Sequence, residues 1–285
     1  MNVLSLFDGI SCGQVTLEKV GIKVNKYFSS EIDKYVIQIT QKNHPETIQI
    51  GDVLKVKSED LPRIDLLIGG SPCQSFSSLG DGSGFNGKSK LFFEFVRLLK
   101  DTKPKYFLFE NVKMKKEYQD IISKYLGVEP IEINSSLVSA QIRKRLYWTN
   151  LPNITQPEDK KIYPKDIIIG EGFPTSAVLL KSPRRVLLRK SLKFGTLTTS
   201  YYKGVDGAGR PCVSLKEGEL RKDRTSHRML SPIECERLQN LPDNYTFGIS
   251  NTQRYKALGN CWTIDVIAHI FKGLLEELNS ENTAE

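Results

Sequence analysis

Apolar and polar positions come in alternating blocks along the first half of the chain. Short apolar-rich runs fall at residues 3–7, 26–30, 47–50, 65–68 and 106–109. Their length and flanking turn residues predict strands. Between them, residues 13–20, 33–42 and 90–99 set their apolar side chains at helical spacing. Strands alternating with helices predict an α/β fold: a mostly parallel, doubly wound sheet with helices on both faces.

The alternation then stops. Residues 131–133 and 146–149 read as two strands with no long helix between them. From 151 to about 224 the chain is rich in Pro, Gly, Lys and Arg and shows little periodicity, which predicts a small, loop-rich second domain. Long surface insertions are the alternative, which loop-length statistics disfavour. Residues 263–278 regain a helical pattern and are expected to pack back onto the first domain. The expected division is 1–150 as the first domain, 151–227 as the small one, and 228–285 as a segment that returns to complete the first.

Composition narrows the class. A chain of 285 residues fits one large domain or a large and a small one. With 39% hydrophobic and 26% charged residues it has the makeup of a soluble globular protein. No apolar run approaches the roughly 20 residues of a membrane-spanning helix. The N-terminus has no basic leader, so a cytoplasmic protein is expected. Five cysteines stand far apart without a C-x-x-C pair, and the three histidines cluster with none of them. Neither a metal site nor a disulfide framework is indicated, and a reactive thiol is permitted. Lys plus Arg exceed Asp plus Glu by eight. That excess suits a polyanion such as nucleic acid, but it is common enough to decide nothing by itself.

The candidate chemistry sits at the predicted strand ends. The first strand runs into Phe7-Asp8-Gly9-Ile10-Ser11-Cys12-Gly13, where glycines let backbone approach a ligand beside a helix N-terminus. Glu31 ends the second strand, where a carboxylate can accept from ribose hydroxyls. Asp52 follows the third strand and can accept from an adenine amino group. Each alone is more often a cap or a turn residue. Together, at three successive strand ends, they indicate an adenosyl cofactor. The fourth strand leads to Gly69-Gly70-Ser71-Pro72-Cys73-Gln74, and the fifth ends at Phe109-Glu110-Asn111-Val112. A cysteine at such an edge is a nucleophile candidate, although most cysteines are buried and inert. Glu110 on the adjacent strand supplies the acid that a thiolate nucleophile needs.

Gly-Ser-Pro-Cys-Gln around Cys73, together with Phe-Glu-Asn-Val, resembles the DNA cytosine-C5 methyltransferase family. The loop from Phe7 to Gly13 resembles that family's cofactor loop. Ser30-Glu31-Ile32-Asp33 and Gly51-Asp52-Val53 resemble its next two cofactor motifs. Gln141-Ile142-Arg143-Lys144-Arg145 resembles its Gln-x-Arg-x-Arg signature. Leu230-Ser231-Pro232-Ile233-Glu234-Cys235 with Arg237-Leu238-Gln239 resembles the motif that organises the small domain. Tyr255-Lys256-Ala257-Leu258-Gly259-Asn260 resembles the last motif, which closes the cofactor pocket. The matches keep the family's order from residue 4 to about 270. Two features depart from the usual pattern. Cys261-Trp262 follow Gly259-Asn260 where a small residue and Val are usual, and residues 90–99 are closer to the animal de novo branch than to bacterial enzymes.

The resemblance implies a Rossmann-like methyltransferase fold with a small target-recognition domain. It implies S-adenosylmethionine as methyl donor, S-adenosylhomocysteine as product and duplex DNA as substrate. Cys73 would add to C6 of a flipped-out cytosine, Glu110 would support N3, and Arg145, with Arg143 beside it, would hold the base or its phosphate. Cofactor contacts are implied for Phe7, Asp8, Gly9, Ile10, Glu31, Ile32, Asp52, Val53, Pro72, Leu91, Asn260, Cys261 and Trp262. For DNA contact the candidates are Gln74, Ser77, Arg184, Arg185, Thr196, Thr198, Lys203 and Arg210; Thr196-Leu197-Thr198 resembles the start of the family's recognition loops. A monomer in a bacterial or phage-infected cell is expected, with room for a cognate restriction endonuclease acting on the same site. Two other readings share the motifs: a transfer-RNA cytosine methyltransferase, and an inactive DNA-binding regulator on the same scaffold.

Overall fold

Asn2–Leu6 (β1), Lys26–Ser30 (β2), Ile48–Gln49 (β3), Leu66–Gly69 (β4) and Tyr106–Val112 (β5) take up the apolar runs of the first half, and Ile131–Asn134 (β6) and Lys144–Thr149 (β7) follow. The computed structural model describes residues 1–72, 91–179, 186–190, 192–204, 210–215 and 227–282. Its main sheet has seven strands in the order β3-β2-β1-β4-β5-β7-β6. Strands β1 to β5 pair in parallel, and β7 runs antiparallel to β5. The Rossmann-like, mostly parallel α/β sheet expected from the alternation is therefore present. Winding reverses between β1 and β4, and open α/β sheets bind ligands at the carboxyl ends of strands beside such a switch point.

The helices of this part are Cys12–Val20 (α1), Lys34–Asn43 (α2), Phe92–Thr102 (α3) and Lys116–Leu126 (α4). Asp33 caps α2 by accepting from Tyr35 N at 2.9 Å, and α1 and α4 end on left-handed Gly21 and Gly127. Helix α3 begins at Phe92, two residues after the predicted start, and buries Phe92, Phe95, Val96 and Leu98. Helix α4 lies in a stretch where no helix was expected, yet Tyr118, Ile121, Ile122, Tyr125 and Leu126 carry helical spacing. Phe109 of β5 anchors the core, with ring centroids of Phe95, Phe92 and Trp148 at 4.9, 5.3 and 5.9 Å.

Two compact units divide the chain. The first gathers Met1–Ile133, Lys144–Gln156 and Ile267–Glu285; the second gathers Asn134–Arg143 and Pro157–Val266. The second unit is more regular than a loop-rich domain. Phe173–Leu179 (β8), Val186–Lys190 (β9), Arg210–Ser214 (β10) and His227–Arg228 (β11) form a sheet ordered β11-β10-β8-β9 with antiparallel pairing. Its strands leave little local signal in the sequence, because Pro174 and Pro211 interrupt their apolar patterns and β8 pairs with β10 across a long sequence separation. Pro232–Leu238 (α5) starts with a capping box between Ser231 and Glu234, and Asn251–Asn260 (α6) follows. The last helix, Ile264–Asn282 (α7), covers the helical pattern read at 263–278. No helix among the described residues is long and apolar enough to cross a membrane.

Candidate active site

The loop after β1 is held in an unusual backbone shape. Phe7, Gly9 and Ser11 all have positive φ, at 56°, 60° and 56°. Gly9 adopts it freely, whereas Phe7 and Ser11 each cost on the order of 1–3 kcal/mol. A hydroxyl cage around Asp8 supports that strain. The Asp8 carboxylate accepts from Ser5 Oγ at 2.5 Å, Tyr27 hydroxyl at 2.8 Å and Ser29 Oγ at 2.9 Å, and also from Ser11 Oγ. Burial pushes the Asp8 carboxyl up from its ordinary value, against the pull of the four hydroxyls. Burial and then the Asp8 charge push the Tyr27 phenol well above its own value, so it stays a donor. Asp8 is thus engaged within the protein, as the anchor of the loop. Ser5, Ser11, Tyr27 and Ser29, to which the sequence reading gave no role, are its partners.

Glu31 ties this loop to the end of β2. Its carboxylate accepts from Gly9 N at 2.9 Å, Ile32 N at 2.7 Å and Asp33 N at 3.0 Å. A carboxylate offers about four acceptor positions, so capacity remains for a ligand hydroxyl. Asp52 caps the turn after β3 by accepting from Leu54 N at 3.0 Å. Ile32 is 75% exposed and Leu54 59% exposed, an unusual display of apolar side chains beside two carboxylates. Ile10 and Val53 are buried. Phe7 and Leu91 pack half-buried against the core.

At the neighbouring strand ends, Glu110 and Asn111 leave β5 in different roles. Glu110 Oε1 lies 3.1 Å from Arg145 Nε of β7, and both side chains are largely buried. The pairing of Val112 with Arg145 across the antiparallel β5–β7 ladder produces that contact. Arg145 is also held by a bond from Nη1 to its neighbour's carbonyl, Lys144 O, at 2.8 Å. Asn111 is 1% exposed, and its amide reaches Ser71 O at 3.3 Å and Ser71 Oγ at 3.4 Å. Asn111 was quoted in the motif without a task; it fixes the backbone that enters Pro72 and Cys73. Cys73, Gln74 and Ser77 lie outside the described residues, as do Arg184 and Arg185.

Gln141 and Arg143 of the Gln-x-Arg-x-Arg signature belong to the second unit. Arg143 was expected beside Arg145 at the base or its phosphate; it precedes β7 and is 3% exposed. Its guanidinium donates to Leu197 O at 2.9 Å, Gly259 O at 3.2 Å and Cys261 O at 3.0 Å. Gln141 donates to Leu238 O and to Gln239 Oε1, both at 2.9 Å, and accepts from Leu197 N at 3.2 Å. Buried groups of this kind satisfy backbone that would otherwise be stranded. Gln141 and Arg143 therefore fasten α5, the end of α6 and the 194–199 segment together.

Gly259 makes that arrangement feasible. A Cβ there would sit 2.4 Å from Thr198 C and Thr199 N and 2.6 Å from Thr198 O. Backbone cannot yield as a side-chain tip can, so Gly259→Ala is expected to cost about 1–3 kcal/mol. A Tm lowered by several degrees in thermal unfolding checks this; an unchanged Tm contradicts it. Asn260 ends α6 exposed, Cys261 is buried, and Trp262 is half-buried. Among the recognition candidates, Thr196 Oγ1 donates to Ile142 O at 2.6 Å and Thr198 Oγ1 lies 3.3 Å from Ser200 Oγ. Arg210 donates to Gly204 O at 2.5 Å and Ser200 Oγ at 3.0 Å, and Lys203 stands over the Tyr202 ring. Among the described residues no group of three or more His, Cys, Asp or Glu is placed to hold a metal ion.

Comparison with known proteins converges on one family. A family model described as C-5 cytosine-specific DNA methylase matches residues 1–127 and 150–276. The type II methyltransferase M1.ScrFI of Lactococcus lactis subsp. cremoris is 28% identical over 97% of this chain and 78% of its own length. M.NlaX of Neisseria lactamica, also a type II methyltransferase, is 28% identical over 98% of this chain and 97% of its own. Among solved structures, the Entamoeba histolytica methyltransferase EhMeth shares the fold with a TM-score of 0.75 at 21% identity, covering 98% of both chains. The ordered strand-end motifs, the Glu110–Arg145 pair and the family match over most of the chain place it among the C-5 cytosine-specific DNA methylases: it is a DNA cytosine-C5 methyltransferase.

Proposed function

We propose that this enzyme methylates C5 of one cytosine within a specific duplex DNA sequence, with S-adenosylmethionine as donor and Cys73 as covalent nucleophile. The observation that carries the reading is the rim at the ends of β4 and β5. There Arg145 orients the Glu110 carboxyl at 3.1 Å while Asn111 fixes Ser71, two residues before Cys73.

The residues at the first three strand ends fit an adenosyl cofactor. Glu31 keeps an acceptor position, Asp52 adds a second carboxylate, Ile32 offers an exposed apolar face, and the strained Phe7–Gly9 loop leaves backbone open to close approach. Bound S-adenosylmethionine supplies an electrophilic methyl group on a sulfonium. The Asn260-Cys261-Trp262 segment belongs to the same proposal on the strength of its motif.

C5 of cytosine is a poor nucleophile until C6 is saturated. The Cys73 thiolate adds to C6, and the displaced π electrons pass to C5, which takes the methyl group. Glu110 shares its proton with N3 as charge builds on the ring, and the carboxylate left behind is paired with Arg145. Loss of the C5 proton to solvent or a base then restores the double bond as the Cys73–C6 bond breaks, and N3 returns its proton to Glu110. The base must leave the stack to be reached, at a cost of a few kcal/mol. Arg184 and Arg185 remain candidates for guanine readout or phosphate contact in the recognition segment. A restriction endonuclease with the same target site would give the modification its purpose.

Methyl transfer from labelled S-adenosylmethionine, measured on duplex DNA and on transfer RNA, tests the substrate. Incorporation on duplex DNA at one sequence context, mapped by bisulfite sequencing, is expected. Transfer to RNA alone would overturn the assignment, and transfer to neither would favour an inactive regulator.

A further inference from the structure

A turn in the second unit displays two lysines on one tyrosine. Residues 201–203 form a single 3-10 turn. The buried Tyr201 donates to Pro211 O at 2.7 Å, accepts from Leu230 N at 2.8 Å, and packs edge-on to Tyr255 at 5.4 Å. Arg210 clamps the turn through Gly204 O and Ser200 Oγ. Helix α6 lies against the preceding residues with no side chain between them, because Gly259 meets the Thr198 and Thr199 backbone. On this fixed base Tyr202 is half-buried, with Lys256 Nζ of α6 at 5.2 Å and Lys203 Nζ at 5.9 Å from its ring centroid.

Cation–π contact is worth only about 0.5–1 kcal/mol at an accessible site, and two ammonium groups on one ring repel each other. An anion beside them relieves that repulsion. Among the described residues, the ion pairs of the second unit engage Lys160, Arg228, Arg237 and Arg254, and leave Lys203 and Lys256 to the ring. We infer that Tyr202, Lys203 and Lys256 form a contact for a backbone phosphodiester of duplex DNA. The inference rests on the DNA reading above and adds Tyr202 and Lys256, one from the recognition segment and one from the C-terminal motif. The chemistry is that of position, not of sequence: ammonium and phenol groups hold phosphate, and lysine lacks the planar fork that reads guanine.

The test is fluorescence anisotropy of the full chain with labelled duplexes across a series of salt concentrations. Each phosphate contact contributes about 0.9 to the slope of log affinity against log salt. K203Q and K256Q should each reduce the slope by about that amount, and the double variant by about 1.8. Affinity should fall by the same factor on cognate and unrelated duplexes, whereas K203R and K256R should keep the wild-type slope. Calorimetric binding of S-adenosylhomocysteine shows that each variant is folded. Unchanged slopes, or a loss confined to the cognate sequence, overturn the inference and leave the methyltransferase reading standing. A wild type that binds no duplex DNA overturns both.

Discussion

Glu110→Gln is expected to lower kcat for methyl transfer by about two to four orders of magnitude, the range of a single positioned acid or base. Glutamine keeps the shape and can still receive the Arg145 Nε hydrogen bond, which spans 3.1 Å in the native pair. It has no proton to share with N3 as Cys73 adds to the ring, so the barrier rises while the ground state is little changed. The loss should therefore fall on kcat, with S-adenosylhomocysteine affinity unaltered. Single-turnover transfer with saturating DNA and donor measures it. A variant within threefold of wild type would remove Glu110 from the chemistry and leave it a partner for Arg145 alone.

Asp8→Asn is expected to act on cofactor binding through the loop. Four hydroxyls from Ser5, Ser11, Tyr27 and Ser29 converge on the two carboxylate oxygens. An amide replaces one oxygen by a donor, which faces hydroxyls already committed to donating. Charge-assisted bonds are worth about 1.5–3 kcal/mol each, and two of the four are lost. Some of the loss falls on overall stability. The remainder appears as release of the left-handed Phe7 and Ser11 backbone, with φ of 56° at both, and so as weaker cofactor binding. Calorimetry should show S-adenosylhomocysteine bound at least tenfold more weakly, while a binding assay at saturating cofactor leaves DNA affinity in place. Tyr27→Phe, which removes one donor and keeps the ring, should fall between the two. Full cofactor affinity in Asp8→Asn would mean that the cage stabilises the domain without shaping the loop.

Much of this architecture is legible in the sequence, for identifiable reasons. Strands β1 and β4 fall within a residue of their predicted places, because a strand buried on both faces leaves an apolar run bounded by polar turns; β2 falls on residues 26–30, where Tyr27 and Phe28 precede the turn at Glu31. Helix α4 is equally legible, since its apolar spacing and Gly127 are present. The four strands of the second unit are not, because an antiparallel pairing such as β8 with β10 is written in no local period.

Site roles divide along the same line. Residue type and order point to Glu110 and Arg145, and the antiparallel register brings them together. Arg143 carries the same side chain in the same motif, yet it points to three carbonyls of its own unit. Residues two apart share one face of a regular strand; the two arginines part because β7 begins at Lys144 and Arg143 precedes it, a boundary the motif does not mark. The Asp8 cage is hidden for a different reason: Ser5, Ser11, Tyr27 and Ser29 are common residues that become a set only when β1, β2 and the start of α1 are packed.

The claim on which the mechanism depends is that Cys73 forms a bond to C6 of cytosine. Duplex DNA carrying 5-fluorocytosine at the target position tests it, because fluorine at C5 cannot leave as a proton and the adduct cannot collapse. With S-adenosylmethionine present, wild type should give a DNA–protein complex that survives denaturing electrophoresis, with the DNA mapped by mass spectrometry to the peptide containing Cys73, and Cys73→Ala should give none. An active wild type that leaves no stable complex, or a complex that forms equally with Cys73→Ala, would contradict the account.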